Sequence, residues 1–138
     1  MKRAWDLPRV GQAATARWVL TQKEFDHFAA LSGDDNPIHT DPEFAARTRF
    51  GRPVAHGMLL FGLIVSAAGA RLPGAFLVEQ ELMFPTPTYA DEEVVVQIEI
   101  TALEAEEGGV ELTTFVLRPN GEVGCQGRAR FCLESARG

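Results

Sequence analysis

The chain has 138 residues, with 13 Lys+Arg against 19 Asp+Glu and a formal net charge of −6 at pH 7. That length suits one domain spanning residues 1–138, large enough to bury a core without a disulfide or a metal. The acidic balance excludes a general phosphate-backbone binder, so no nucleic-acid partner is expected, and any anionic ligand has to be met by a local basic patch or by backbone N–H groups.

The N-terminal Met1-Lys2-Arg3-Ala4-Trp5-Asp6 has no apolar run behind it, so no secretory signal is expected. Pro8 and Gly11 mark residues 1–13 as an irregular lead-in. Residues 14–20 alternate as a first strand. Thr21 with Glu24 forms a capping-box pattern that opens a helix over residues 22–31, burying Phe25, Phe28 and Ala29 and leaving His27 on the surface. Gly33 stops that helix. Residues 34–39 read as a loop, because Asp and Asn bond their own backbone and Pro37 fixes φ. Asp41 and Pro42, as N-cap and first helical residue, start a short helix that runs to about Arg47.

Residues 57–70 carry no charge, and a helix apolar on every side has to be surrounded by protein. Its 14 residues fall short of the roughly 20 that cross a bilayer, so no membrane partner is expected. After Pro73-Gly74 the pattern turns to strands at 76–84, 93–102, 110–118 and 122–134. The clearest puts Val94, Val96, Ile98 and Ile100 on one face. Asn120-Gly121 marks a hairpin. Cys125 and Cys132 sit too far apart along one strand to pair, and read as reduced thiols of a cytosolic protein. The fold class is therefore α+β: an antiparallel sheet of about five strands wrapped around one long apolar helix. The outer face of the sheet carries too few charges to be uniformly wet, which points to an oligomer.

The chemistry concentrates in Ser32-Gly33-Asp34-Asp35-Asn36-Pro37-Ile38-His39-Thr40-Asp41. A carboxylate and an imidazole five residues apart in a constrained loop are able to hold one water, one group taking a proton while the other orients the water or returns a proton. The same residues also suit a plain helix stop and turn. A metal site built from Asp35, His39 and Asp41 is a third alternative, although the histidines at 27, 39 and 56 have no paired ligand spacing. His56-Gly57-Met58 opens the apolar helix, where an unpaired N–H and the positive end of the helix dipole suit an oxyanion, or where Gly57 only relieves crowding. No Gly-x-Ser-x-Gly or glycine-rich phosphate loop is present.

The segment 32–41 resembles the signature of the MaoC-like, (R)-specific enoyl-CoA hydratases. Gly51-Arg52-Pro53-Val54-Ala55-His56-Gly57-Met58-Leu59 is similar to that family's second segment. Tyr89-Ala90-Asp91-Glu92 resembles its Val/Tyr-x-Gly-Asp turn, with Ala90 taken at the glycine. The resemblance spans residues 10–134. It implies a hot-dog fold, a homodimer with one continuous sheet, and hydration of a trans-2-enoyl thioester to the (3R)-3-hydroxyacyl thioester. Carried over by position, Asp34 and His39 are the catalytic pair and Gly57 N–H is the oxyanion donor. Ser32, Asn36, Arg52, His56 and Met58 are the substrate-binding candidates, with Asp41 also matching the motif. The substrate is a coenzyme A thioester or an acyl carrier protein thioester, with no metal and no other cofactor. Arg47, Arg49, Arg52, Arg128 and Arg130 are candidate partners of the carrier's phosphates or plain surface charges. Leu60, Leu63, Ile64 and Val65 are acyl lining or core. The competing functions are a hot-dog thioesterase, disfavoured because residues 57–70 hold no Asp or Glu, and a non-catalytic acyl-binding partner subunit.

Overall fold

A computed structural model describes residues 4–104, 106 and 108–134. The elements run β1 (Ala13–Val19), α1 (Gln22–Ser32), α2 (Pro37–Thr40), α3 (Pro42–Ala46), α4 (Gly57–Arg71), β2 (Phe76–Met83), β3 (Glu93–Glu104), β4 (Gly109–Leu117) and β5 (Val123–Cys132). Five strands form one sheet in the order β1-β3-β4-β5-β2, and every pairing is antiparallel. This is the α+β, hot-dog arrangement, with α4 packed against the sheet through β1, β3, β4 and β5.

Alternation along β3 produces the core. Val94, Val96, Ile98 and Ile100 are all buried, as are Val110, Leu112 and Val116 of β4 and Cys125, Ala129 and Phe131 of β5. From the helix, Leu60, Leu63, Ile64, Ala67 and Ala68 fill the space over them. Full burial of one such aliphatic side chain stabilises by about 1.5–3 kcal/mol, so this row dominates the stability of the domain. β1 and β2 are the two edges, and β2 carries the exposed Phe76, Val78 and Met83.

Three expectations change. Residues 34–39 are not all loop: Pro37 starts the one-turn α2, with Asn36 as its N-cap accepting from Ile38 N–H at 3.1 Å. The apolar helix is not enclosed on every side, for Met58 is 54% exposed and Gly62 and Gly69 are also exposed. A single sheet covers one flank of a helix, and Gly62 and Gly69 lie on the flank left open, while Ala67 and Ala68 face the core. Finally, the position in the 89–92 turn that needs glycine-like freedom is Asp91, at φ 66°, and not Ala90. Counted from Tyr89, the glycine of a Tyr-x-Gly-Asp turn falls on 91, and Asp is among the few side chains that tolerate the left-handed region.

Candidate active site

The site is built from two short segments tied side chain to main chain. Gly33, at φ 82°, ends α1 with its N–H on Ala29 O at 2.9 Å. Ser32 Oγ donates to Phe28 O at 2.7 Å and accepts from Asp34 N–H at 3.1 Å. Asp41 caps α3 by accepting from the N–H groups of Glu43 and Phe44. These bonds set the path of residues 32–41, which contain no buried residue. Ser32 Oγ, Asn36 Oδ1 and Asp41 Oδ1 therefore shape the loop.

The second segment leads into α4. Val54 N–H donates to Ile38 O at 3.1 Å, and His39 Nδ1–H donates to Val54 O at 2.8 Å. A carbonyl only accepts, which assigns the proton to Nδ1 and leaves the Nε2 lone pair of the neutral ring free. That Nε2 stands 4.0 Å from Asp34 Oδ2. The gap is too long for a direct hydrogen bond and short enough for one water to touch both. Asp34 is about half exposed and His39 is mostly covered.

His56 lies buried behind the loop. It is 1% exposed, and its Nε2–H donates to the Asp34 carbonyl at 2.9 Å. Its ring stacks on His39 with centroids 3.9 Å apart and 23° between planes, and meets Phe28 edge-on at 4.8 Å. Burial is the main cause that lowers its pKa below the ordinary 6.5, with His39 adding to the drop and Asp34 opposing it. The expectation that His56 binds substrate is corrected accordingly: no room reaches its ring.

Gly57 is the first residue of α4, so its N–H has no intrahelical acceptor and lies at the positive end of the helix. It lines a pocket of about 410 Å³ with Arg49, Val54, Leu60, Phe84 and Thr88 among its walls. Asp34 and His39 do not line that pocket. They adjoin it through Val54, which lines the pocket and holds His39 by its carbonyl. Phe84 lies so close over Gly57 that a Cβ there would stand 2.6 Å from its ring, which is a physical reason for glycine beyond helix geometry. Sequence reasoning missed Phe84 and Thr88, since both come from the segment after β2 and nothing local marks them.

The arginines divide. Arg52 lies over the Tyr89 ring at 4.2 Å and 3.5 Å from Glu92 Oε2, while Arg118 takes both Glu92 oxygens at 3.2 and 3.3 Å. Glu92 thus balances Arg52, which is absent from the pocket walls and is not placed as a substrate contact. Arg128 pairs with Glu81, and Arg130 with Glu104 and Glu79, as cross-strand pairs of the sheet. Arg47 and Arg49 instead rest over Phe44 and Phe50. Met58 is exposed beside the site and is also absent from the pocket walls. Leu63 and Ile64 are core, whereas Leu60 reaches the pocket and Val65 is half-buried.

A metal set of Asp35, His39 and Asp41 is not brought together, because Asp41 is committed to the cap of α3. Donor atoms of Asp34, His39 and His56 do lie within 4.8 Å of one another. Stacked imidazoles, however, aim their lone pairs in near-parallel planes and do not converge at the 2.0–2.1 Å that a zinc ion requires. The Cys125 thiol is buried, and burial pushes its pKa up to about 11, which makes it a poor nucleophile.

A family model described as "MaoC like domain" matches residues 8–116. The chain belongs to the MaoC-like family. Within it, the chain is 40% identical over 122 residues to the (R)-specific enoyl-CoA hydratase of Aeromonas caviae, covering 87% of this chain and 91% of that protein. Its fold matches the solved (R)-hydratase of A. caviae involved in PHA biosynthesis with a TM-score of 0.89 at 38% identity, over 94% of this chain and 99% of that one. The unliganded R-hydratase PhaJ1 of Pseudomonas aeruginosa matches with a TM-score of 0.88 at 29% identity, over 98% and 88%. The MaoC-like assignment and the hot-dog architecture thus agree with the resemblance drawn from the motifs.

Proposed function

We propose that the protein is a hydro-lyase that catalyses the reversible syn hydration of a trans-2-enoyl-CoA to the (3R)-3-hydroxyacyl-CoA. The observation that carries this reading is the 4.0 Å gap between Asp34 Oδ2 and His39 Nε2, next to the helix start at Gly57. Water sits between the two groups. Its oxygen bonds to the β-carbon, one of its protons passes to the Asp34–His39 pair, and a proton from the pair goes to the α-carbon, so the elements of water are added across the double bond. Charge that gathers on the thioester oxygen between these events is met by Gly57 N–H. Asp34 and His39 act as a coupled unit, so the two proton transfers belong to the pair. Neither a metal nor a redox cofactor enters the scheme, since adding water across the double bond changes no net oxidation state.

The acyl group occupies the pocket beside Gly57, and Arg47 and Arg49 are the cations best placed for the phosphates of a CoA or an acyl carrier protein arm. Arg49 lines the pocket and Arg47 lies two residues before it in the chain, and no carboxylate among the described residues pairs with either. The working form is a homodimer. The β2 edge, with Phe76, Val78 and Met83 exposed, and the open flank of α4 around Met58 are the surfaces a second copy covers. No described helix is long and apolar enough to cross a membrane, and the free cysteines suit a cytoplasmic setting.

Hydration of crotonyl-CoA by the pure protein, followed as loss of enoyl absorbance, tests the activity. Release of free thiol in place of hydration would point to a thioesterase. Inactivity on both enoyl-CoA and enoyl carrier protein would point to a binding subunit. Sedimentation of the pure protein as a monomer would remove the homodimer.

A further inference from the structure

His56 breaks a local rule. It is the N-cap of α4, a position that favours Ser, Thr, Asp or Asn, and it makes no side-chain cap bond. Its ring reaches Asp34 O at 2.9 Å instead of capping the helix. The ring is buried, with Nδ1 lacking a partner among the described residues. Burying an imidazole with one nitrogen unpaired costs free energy that an aliphatic side chain would not. A departure of this kind fits a residue retained for position.

We infer that His56 is the positioning residue that locks the three reacting groups into one unit. Its Nε2–H fixes the main chain of Asp34, its ring face fixes the plane of His39, and its own peptide bond carries the Gly57 N–H. Phe28 closes the far side of the ring. The carboxylate, the imidazole and the oxyanion donor are thus all referred to one buried residue, the first two through its ring and the third through its main chain, although residues 31–44 supply no buried residue of their own. The inference rests on the hydratase reading above. His56 touches neither water nor substrate, and acts through the groups it holds.

Two variants of similar length separate the donor from simple filling. His56→Gln keeps an N–H able to reach Asp34 O, and His56→Met does not. The expected result on crotonyl-CoA is a kcat roughly 10²-fold below the native value for His56→Met. His56→Gln should recover to within roughly tenfold of native, with KM within about threefold of native for both. A merely structural role would lower thermal stability without splitting kcat between the two. Equal kcat for the folded Gln and Met variants would overturn the inference while leaving the hydratase reading intact. Inactivity of the native protein would instead remove the reading beneath it. Should neither variant fold, imidazole ¹⁵N shifts of the native protein decide. An Nε2–H tautomer of the neutral His56 ring supports the inference, and an Nδ1–H tautomer overturns it.

Discussion

The core and the ridge that carries Asp34 and His39 are held by opposite means. Under α4, the inward rows of β3, β4 and β5 are almost wholly buried, and order comes from apolar burial at a period of two. Along residues 31–44 nothing is buried, and order comes from Ser32, Asn36 and Asp41 bonding the main chain and from His39 reaching Val54 O. The difference separates stability from chemistry. The core can lose a methyl group and still present the site, while the ridge can lose a charge and still fold.

The largest effect tests that separation directly. Asp34→Asn or His39→Gln should lower kcat/KM for crotonyl-CoA by roughly 10³-fold. Asp34→Asn should leave the urea midpoint nearly unchanged, because that side chain is about half exposed, whereas His39→Gln also alters the bond to Val54 O. A large loss of stability in Asp34→Asn would erase the contrast. Ile64→Ala is the mirror experiment: the residue is fully buried, and about 3 kcal/mol of unfolding free energy should be lost with kcat per folded molecule retained.

Gly57→Ala probes the seam between the two regions. The added Cβ meets the Phe84 ring at 2.6–3.0 Å, so the ring has to swing aside. We expect a fall in kcat/KM of roughly tenfold, reversed in part by Phe84→Leu. Full activity in the single variant would mean that Phe84 moves freely and does not shape the pocket.

A smaller effect appears as acid sensitivity. Burial lowers the folded-state pKa of His56 below 6.5. As pH falls through 6.5 the unfolded chain therefore takes up a proton before the native state does. This contribution to stability is complete above pH 6.5 and declines below it. Urea unfolding of the native protein and of His56→Gln at neutral and mildly acidic pH checks this, since the variant should lose less stability on acidification. Smallest of all, Asp91→Gly should add about 0.5 kcal/mol by relieving a left-handed residue, with no change in kcat.

Local patterns carried much of this information. Alternation at 94–100 placed four inward residues correctly, and the charge-free run 57–70 identified the central helix to within one residue. The motif at 32–41 pointed to Asp34 and His39, which the structure brings to 4.0 Å. Patterns did less well where a side chain has two equally local uses. Arg52 read as a phosphate ligand from its neighbours Arg47 and Arg49, until Glu92, forty positions away, proved to balance it. His56 stood among the substrate-binding candidates carried over from the motif at 51–59, yet it is the partner of Asp34 O. Phe84 and Thr88 gave no signal, since a pocket wall is defined by what faces it.

By itself the sequence determined the strands, the apolar helix and the turns, because periodicity, capping and turn chemistry act over a few residues, and its motifs at 32–41 and 51–59 carried the resemblance to the family. Only the tertiary structure decided that the His56 imidazole lies buried behind the pair, which arginines keep an uncompensated charge, and which flank of α4 stays bare. Those outcomes depend on distances between segments remote along the chain, set by packing that no local pattern encodes.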